Sequence, residues 1–143
     1  MIAEILRDRS RDPGSALGTW LFRARAESLP LVRNVVRRFD LGELENDVNL
    51  LVTELVSNAI RHAGLRRDAP VKLRIAADER RVRIEVSDPG CGFDAASVDE
   101  GELYEPGGLG LVLVDRMSER WGIVRGAETR VWLELPRPVP AAA

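Results

Sequence analysis

Glu54 and Asn58 stand four residues apart, with Arg61 and His62 one further turn on. On a helix all four would lie along one polar strip beside an apolar one. Asn58 offers a neutral amide oxygen, a ligand that suits Mg²⁺ when the metal's other ligands are triphosphate oxygens and water. Glu54, one turn away, is placed to accept a proton from an attacking hydroxyl or water. The same strip also suits a solvated helix face with a helix-stabilising polar pair, so its spacing alone leaves both readings open.

Two glycine-rich stretches supply a second kind of chemistry. Asp88-Pro89-Gly90-Cys91-Gly92 sets a carboxylate at the end of an alternating stretch, beside two positions free to adopt positive φ. Such a carboxylate can accept an exocyclic amino hydrogen of adenine, a contact that guanine does not supply; the bland alternative is an Asp-Pro-Gly turn. Gly107-Gly108-Leu109-Gly110-Leu111 precedes a helical pattern, so its N–H groups would face an anion placed at the helix start. Glycines there also serve plain chain reversal.

The elements that must position these residues are legible from hydrophobic period. Thr19–Ala24 reads as a strand, and Ser28-Leu29-Pro30 as a capped helix start. Val32, Val35, Val36 and Phe39 recur at helical spacing until Asp40-Leu41-Gly42 breaks the pattern. A longer helix is expected from Glu43 to Ala63, with Val48, Leu51, Val52, Leu55, Val56, Ala59 and Ile60 as its apolar stripe and Gly64 as its stop. Val71, Leu73 and Ile75 then alternate with Lys72 and Arg74, and Val82, Ile84 and Val86 with Arg81, Arg83 and Glu85, which predicts two half-buried strands in a hairpin. Residues 90–108 have no period and are rich in glycine and acid, so a long loop or lid is expected there. A third helix from Gly108 to Arg120 and strands at Ile123–Arg125 and Thr129–Leu135 complete the pattern. Trp132 falls on the polar face, opposite Val131 and Leu133, where an aromatic could mark a partner surface.

Helices early, alternating strands late and a hairpin too short for a crossover predict a two-layer α/β sandwich rather than a doubly wound sheet. The division expected is an N-terminal extension over 1–16, one domain over 17–136 and a disordered tail over 137–143.

Composition limits the alternatives. The chain has 143 residues, 45% of them hydrophobic and 31% charged, enough to bury the core of one domain. Its formal charge of −2 gives no overall bias toward nucleic acid or anionic membrane. No apolar run is long enough to span a bilayer, and residues 1–10 alternate apolar with charged side chains, so the expected compartment is the cytoplasm. Cys91 is the sole cysteine and has no partner for a disulfide or a zinc site. Lys72 is the sole lysine, and no GxxxxGK[ST] phosphate loop exists.

Taken in order, the three motifs resemble those of a known superfamily. Thr53-Glu54-Leu55-Val56-Ser57-Asn58-Ala59-Ile60-Arg61-His62-Ala63 resembles the N box of the GHKL ATPases, the superfamily of gyrase and histidine kinases. Asp88 to Gly92 resembles the first glycine box, DxGxG, and Gly108-Leu109-Gly110 the second, GxG. The short chain and its ending, Val131 to Pro136, look most like the anti-sigma-factor serine/threonine kinases and related stand-alone ATP-binding regulators of actinobacteria. The resemblance covers Leu17 to Pro136. It implies a Bergerat-type fold, with helices on one face of a mixed, mostly antiparallel sheet, and ATP and Mg²⁺ as ligands. It implies Asn58 on the metal, Asp88 on the adenine amino group, and close backbone approach at Gly90, Gly92, Gly108 and Gly110, with Leu109 and Leu111 beside them. Arg61 and His62 would neighbour the phosphates, Thr129 would contact adenine through water, and Glu54 would activate a serine or threonine hydroxyl for attack on the γ-phosphate. The implied partners are a sigma factor, an antagonist protein as phospho-acceptor and a second copy of the chain, with no direct contact to nucleic acid or membrane.

One departure stands out. Kinases of this group place an arginine in the lid, whereas the charged residues between Phe93 and Pro106 are Asp94, Asp99, Glu100, Glu102 and Glu105. Either the lid stays open, or Arg61 or a partner supplies the cation that phosphoryl transfer needs, or turnover is poor.

Overall fold

Each period-two stretch becomes a strand and each period-3.6 stretch a helix in a computed structural model, which describes residues 3–8, 16–62, 69–89 and 109–138. The strands are β1 (Ala3–Asp8), β2 (Ala16–Arg23), β3 (Pro70–Ala77), β4 (Arg81–Asp88), β5 (Arg120–Arg125) and β6 (Thr129–Pro136). The helices are α1 (Leu29–Arg37), α2 (Glu45–His62) and α3 (Leu109–Met117). The six strands form one sheet in the order β1-β2-β3-β4-β6-β5, and every pairing among them is antiparallel. Because β6 lies between β4 and β5, these two run parallel without touching, and α3 makes the crossover between them.

All three helices cover one face. Val32, Val35 and Val36 of α1 and Val48, Leu51, Val52, Leu55 and Val56 of α2 are buried in one core with Val71, Leu73, Ile75, Val82, Ile84, Val86, Leu133 and Leu135 of the sheet. Trp20 closes its β2 end, edge-on to Phe39 at 5.6 Å between ring centroids. α1 ends where expected, and Asp40 (φ 49°) and Gly42 (φ 57°) take the left-handed turn into α2 that few other residue types adopt cheaply. The opposite face carries the alternate, charged residues. Arg83 sits at its centre, donating to Glu85 at 3.0 Å and Glu134 at 2.8 Å and lying 4.4 Å over the Trp132 ring.

The sheet, expected to be mixed, has only antiparallel pairings among the described residues, and the structure departs from the sequence-based expectations at several further places. Residues 3–8, inside the expected extension, pair with β2 as an edge strand. Ser28 holds the N-cap position of α1 as expected, but its side chain makes no capping bond: it ends a 3₁₀ turn (Ala26–Ser28), and its hydroxyl donates to the Arg23 carbonyl at 2.8 Å. α3 stops at Met117 rather than Arg120, because Glu119 already donates its backbone N–H to the Glu134 carbonyl of β6. Arg137, at the head of the expected disordered tail, donates its backbone N–H to the Arg80 carbonyl at 2.7 Å and its guanidinium to the Asp78 carbonyl at 2.9 Å. No helix among the described residues is long and apolar enough to cross a membrane.

Candidate functional site

Helix α2 starts with Glu45 and Asp47 in its first turn, where negative charge favours the N-terminal dipole. Its stripe from Val48 to Ala59 faces the core, and the chemical strip runs along the border of that stripe. Asn58 is drawn to the inside of the border, with 6% of its surface exposed, while Glu54 is half-buried and Arg61 is exposed. A buried amide needs partners. Here the Arg61 guanidinium donates to the Asn58 Oδ1, a charge-assisted bond across three residues of one helix. A metal taking that oxygen would have to displace the Arg61 guanidinium.

Helix α2 packs on β3 and β4 and against α3, so the strip belongs to the same layer as the other two motifs. Asp88 is the last residue of β4 and is buried at 6% exposure. Its direct cross-strand partner is Thr129, the first residue of β6, which in turn opposes Arg125 at the end of β5. Alternation with Val86 and Val131 puts Asp88 and Thr129 on the helix-covered side of the sheet. The loose sequence match at Thr129 thus acquires a place: a hydroxyl side chain directly opposite the carboxylate expected to read adenine. Burial of a carboxylate at a strand end is costly unless something holds it there, which is the usual signature of a carboxylate kept for recognition.

Leu109, Gly110 and Leu111 form the first turn of α3, whose leading N–H groups have no intrahelical acceptors. Gly90, Gly92, Gly108, Cys91 and the acidic segment to Pro106 lie outside the described residues. His62 ends α2, and its side chain also lies outside them. One buried polar residue that sequence reasoning passed over is Ser87, 4% exposed and adjacent to Asp88. Only its place beside Asp88 at a strand end could have flagged it. Among the described residues, no three His, Cys, Asp or Glu side chains gather as a metal cluster.

The described part of the site offers one buried amide, one buried carboxylate opposite a hydroxyl side chain, and a helix start. The comparison with protein families decides the family. A profile described as "Histidine kinase-like ATPase domain" matches residues 22–135. The chain belongs to that family. Its fold agrees with the assignment: the histidine kinase domain of the blue-light activated histidine kinase EL346 from Erythrobacter litoralis superposes with a TM-score of 0.54 at 22% identity, over 81% of this chain and 62% of that one. At that identity the likeness concerns the fold, and the chain spans about 62% of the solved domain's length. No curated protein matches it in sequence. Within the histidine kinase-like ATPase family, α2 carries the N-box motif and the β4 end and α3 start flank the two glycine boxes. The expected α/β sandwich of GHKL type and an ATP-binding module of that superfamily are therefore established.

Proposed function

We propose that this chain binds ATP with magnesium and transfers the γ-phosphoryl group to a serine or threonine of an antagonist protein, as part of a switch that sequesters a sigma factor. The observation that carries the nucleotide site is the burial of Asn58, an amide held at the inner border of α2 one turn from the half-buried Glu54 on the same helix. In this reading Asn58 and the phosphate oxygens hold the metal, which would supply charge neutralisation on the triphosphate. Asp88 accepts the adenine amino hydrogen, and Thr129 across the strand pair lies close enough to share a water with it. Glu54 takes the proton of the acceptor hydroxyl as that oxygen attacks the γ-phosphorus and ADP leaves. The α3 N-terminus presents backbone donors to the phosphates. The subgroup likeness in sequence further supports a homodimer acting in the cytoplasm.

A second reading has its own support. The stretch between Phe93 and Pro106 contains five acids and no cation, and Arg61 is engaged with Asn58. A module built this way binds nucleotide and holds a partner with little turnover. Incubation with γ-labelled ATP and the protein encoded beside this one separates the two. Acid-stable label on the partner, lost in Glu54→Gln, supports the kinase; ATP binding without transfer supports the binding module. Acid-labile label would mark a third arrangement, an ATP-binding module working in trans on a histidine, and would overturn the serine/threonine assignment.

A further inference from the structure

The face of the sheet that none of the described helices covers is chemically one-sided. On β3 to β6 it carries six cations, Lys72, Arg74, Arg81, Arg83, Arg120 and Arg130, against two carboxylates, Glu85 and Glu134. The cations form the outer layer. Side-chain exposure is 42% for Lys72, 50% for Arg74, 52% for Arg81 and 38% for Arg83, but 13% for Glu85 and 14% for Glu134. The acids are thus spent inward, holding Arg83 down on Trp132, while the outer guanidiniums keep long and loose ion pairs: 3.9 Å from Arg74 to Glu85 and 3.6 Å from Arg81 to Glu134. Lys72 reaches Glu128 of the β5–β6 turn at 3.7 Å, with both side chains well exposed. Exposed pairs of that kind leave most of the charge available to a partner.

Apolar surface lies among the charges. Val124 is 43% exposed, Trp132 is partly exposed beneath Arg83, and Leu17 and Leu21 of β2 continue the same face. Ala76, short between longer neighbours, floors a cavity of about 90 Å³ lined by Arg74, Arg83 and Glu85. That space takes one side chain, with two guanidiniums at its rim.

We propose that this open sheet face is a docking surface for an acidic polypeptide segment, with interspersed apolar side chains, from a partner protein. The charge arithmetic points that way. A chain of net charge −2 that gathers six cations on one face must carry its acidic surplus elsewhere, so the face is a local feature rather than an expression of overall composition. A second copy laid face to face would set the six cations against the same six, which disfavours self-association here. A nucleic-acid backbone would supply the anions but no apolar side chains to meet Val124, Leu17 and Leu21 on the same face. An acidic protein segment can match the alternation of charge and apolar contact.

The test uses the full chain and a fluorescent peptide of about ten residues alternating Glu with Leu, its Lys-Leu counterpart, and a duplex DNA of equal charge, all at low salt. The expected result is saturable binding of the acidic peptide alone, with amide shifts confined to the sheet, largest on β3 to β6. Arg74→Glu combined with Arg130→Glu should weaken it by roughly tenfold or more, and Arg74→Gln with Arg130→Gln by an intermediate factor, since fewer attractive contacts are lost than are reversed. The milder pair keeps the test decisive if the reversed pair fails to fold. Absence of saturable binding, DNA binding of equal strength, unchanged affinity in the Gln pair, or a dimer in sedimentation that these substitutions dissociate would each overturn the proposal. ATP affinity of the same variants should stay at the wild-type value, because the nucleotide site is on the other side of the sheet.

Discussion

Two glycines lie under tryptophan rings on opposite faces of the sheet, and the same substitution should have very different costs at them. A Cβ on Gly18 would stand 2.0 Å from Cη2 and 2.7 Å from Cζ2 and Cζ3 of Trp20. Relaxed carbon contacts need about 3.5 Å, so the indole must move by roughly 1.5 Å. Trp20 is 2% exposed and wedged edge-on against Phe39, which leaves it no free direction. Overpacking of this kind costs about 1–3 kcal/mol if the core yields. Expelling the ring would forfeit roughly 200 Å² of burial, about 5 kcal/mol at most. Gly18→Ala should therefore destabilise by about 2–5 kcal/mol, a fall in Tm of roughly 6–15 °C for a domain of this size. At Gly122 the new Cβ would lie 2.7 Å from Nε1 of Trp132, but that indole is on the open face and can swing into solvent. The cost there is the Arg83 stacking, about 0.5–1 kcal/mol at an exposed site, offset in part by the lower chain entropy of alanine. Gly122→Ala should change stability by less than about 1 kcal/mol. Urea denaturation followed by circular dichroism measures both, and Trp20→Leu introduced into Gly18→Ala should recover part of the loss relative to Trp20→Leu alone. Equal effects at the two glycines, or a neutral Gly18→Ala, would refute this account of ring confinement.

Other substitutions probe the remaining layers. Leu133→Ala removes a fully buried side chain from the middle of the sheet and should cost about 2–5 kcal/mol in urea denaturation. Asp78 accepts from the Arg80 and Arg81 N–H groups at 2.7 and 2.8 Å in the β3–β4 turn, and the two bonds, with help from the neighbouring arginines, lower its pKa. Lowering in the folded state means the carboxylate stabilises above the ordinary aspartate range. The stability gap between wild type and Asp78→Asn should then be constant at neutral pH and close as pH falls below about 4. Glu54→Gln should leave ATP affinity within about threefold while abolishing label transfer, if transfer occurs, because its role begins only after nucleotide is bound.

Much of the fold was legible because one face of each element is buried. Val71-Lys72-Leu73 and Arg81-Val82-Arg83 have unambiguous period two, the α2 stripe keeps a helical period from Val48 to Ile60, and Trp132 falls on the polar face as alternation requires. The elements that escaped are those set by partners. β1 is a strand because β2 offers it an unpaired edge, and its mix of charged and apolar residues does not announce that. Ser28 precedes a proline at a helix start, yet its hydroxyl finds the Arg23 carbonyl because the chain turns back on itself there. The end of α3 was set by the pairing of β5 with β6, which no local pattern encodes. In the site, Asn58 and Asp88 were legible as motif positions. Their burial, the Arg61 contact and the pairing of Asp88 with Thr129 come from α2 packing and strand register.

The central claim is that Asn58 and Asp88 belong to one ATP site. Isothermal titration of the full chain with ATP and magnesium tests it most directly. Wild type should bind one ATP, and Asp88→Asn and Asn58→Ala should each weaken binding by about tenfold or more, the loss of one hydrogen bond to a charged group or one metal ligand. In Asn58→Ala most of that loss should vanish when magnesium is chelated. Wild-type affinity in both variants, or no ATP binding by the unaltered chain, would contradict the account.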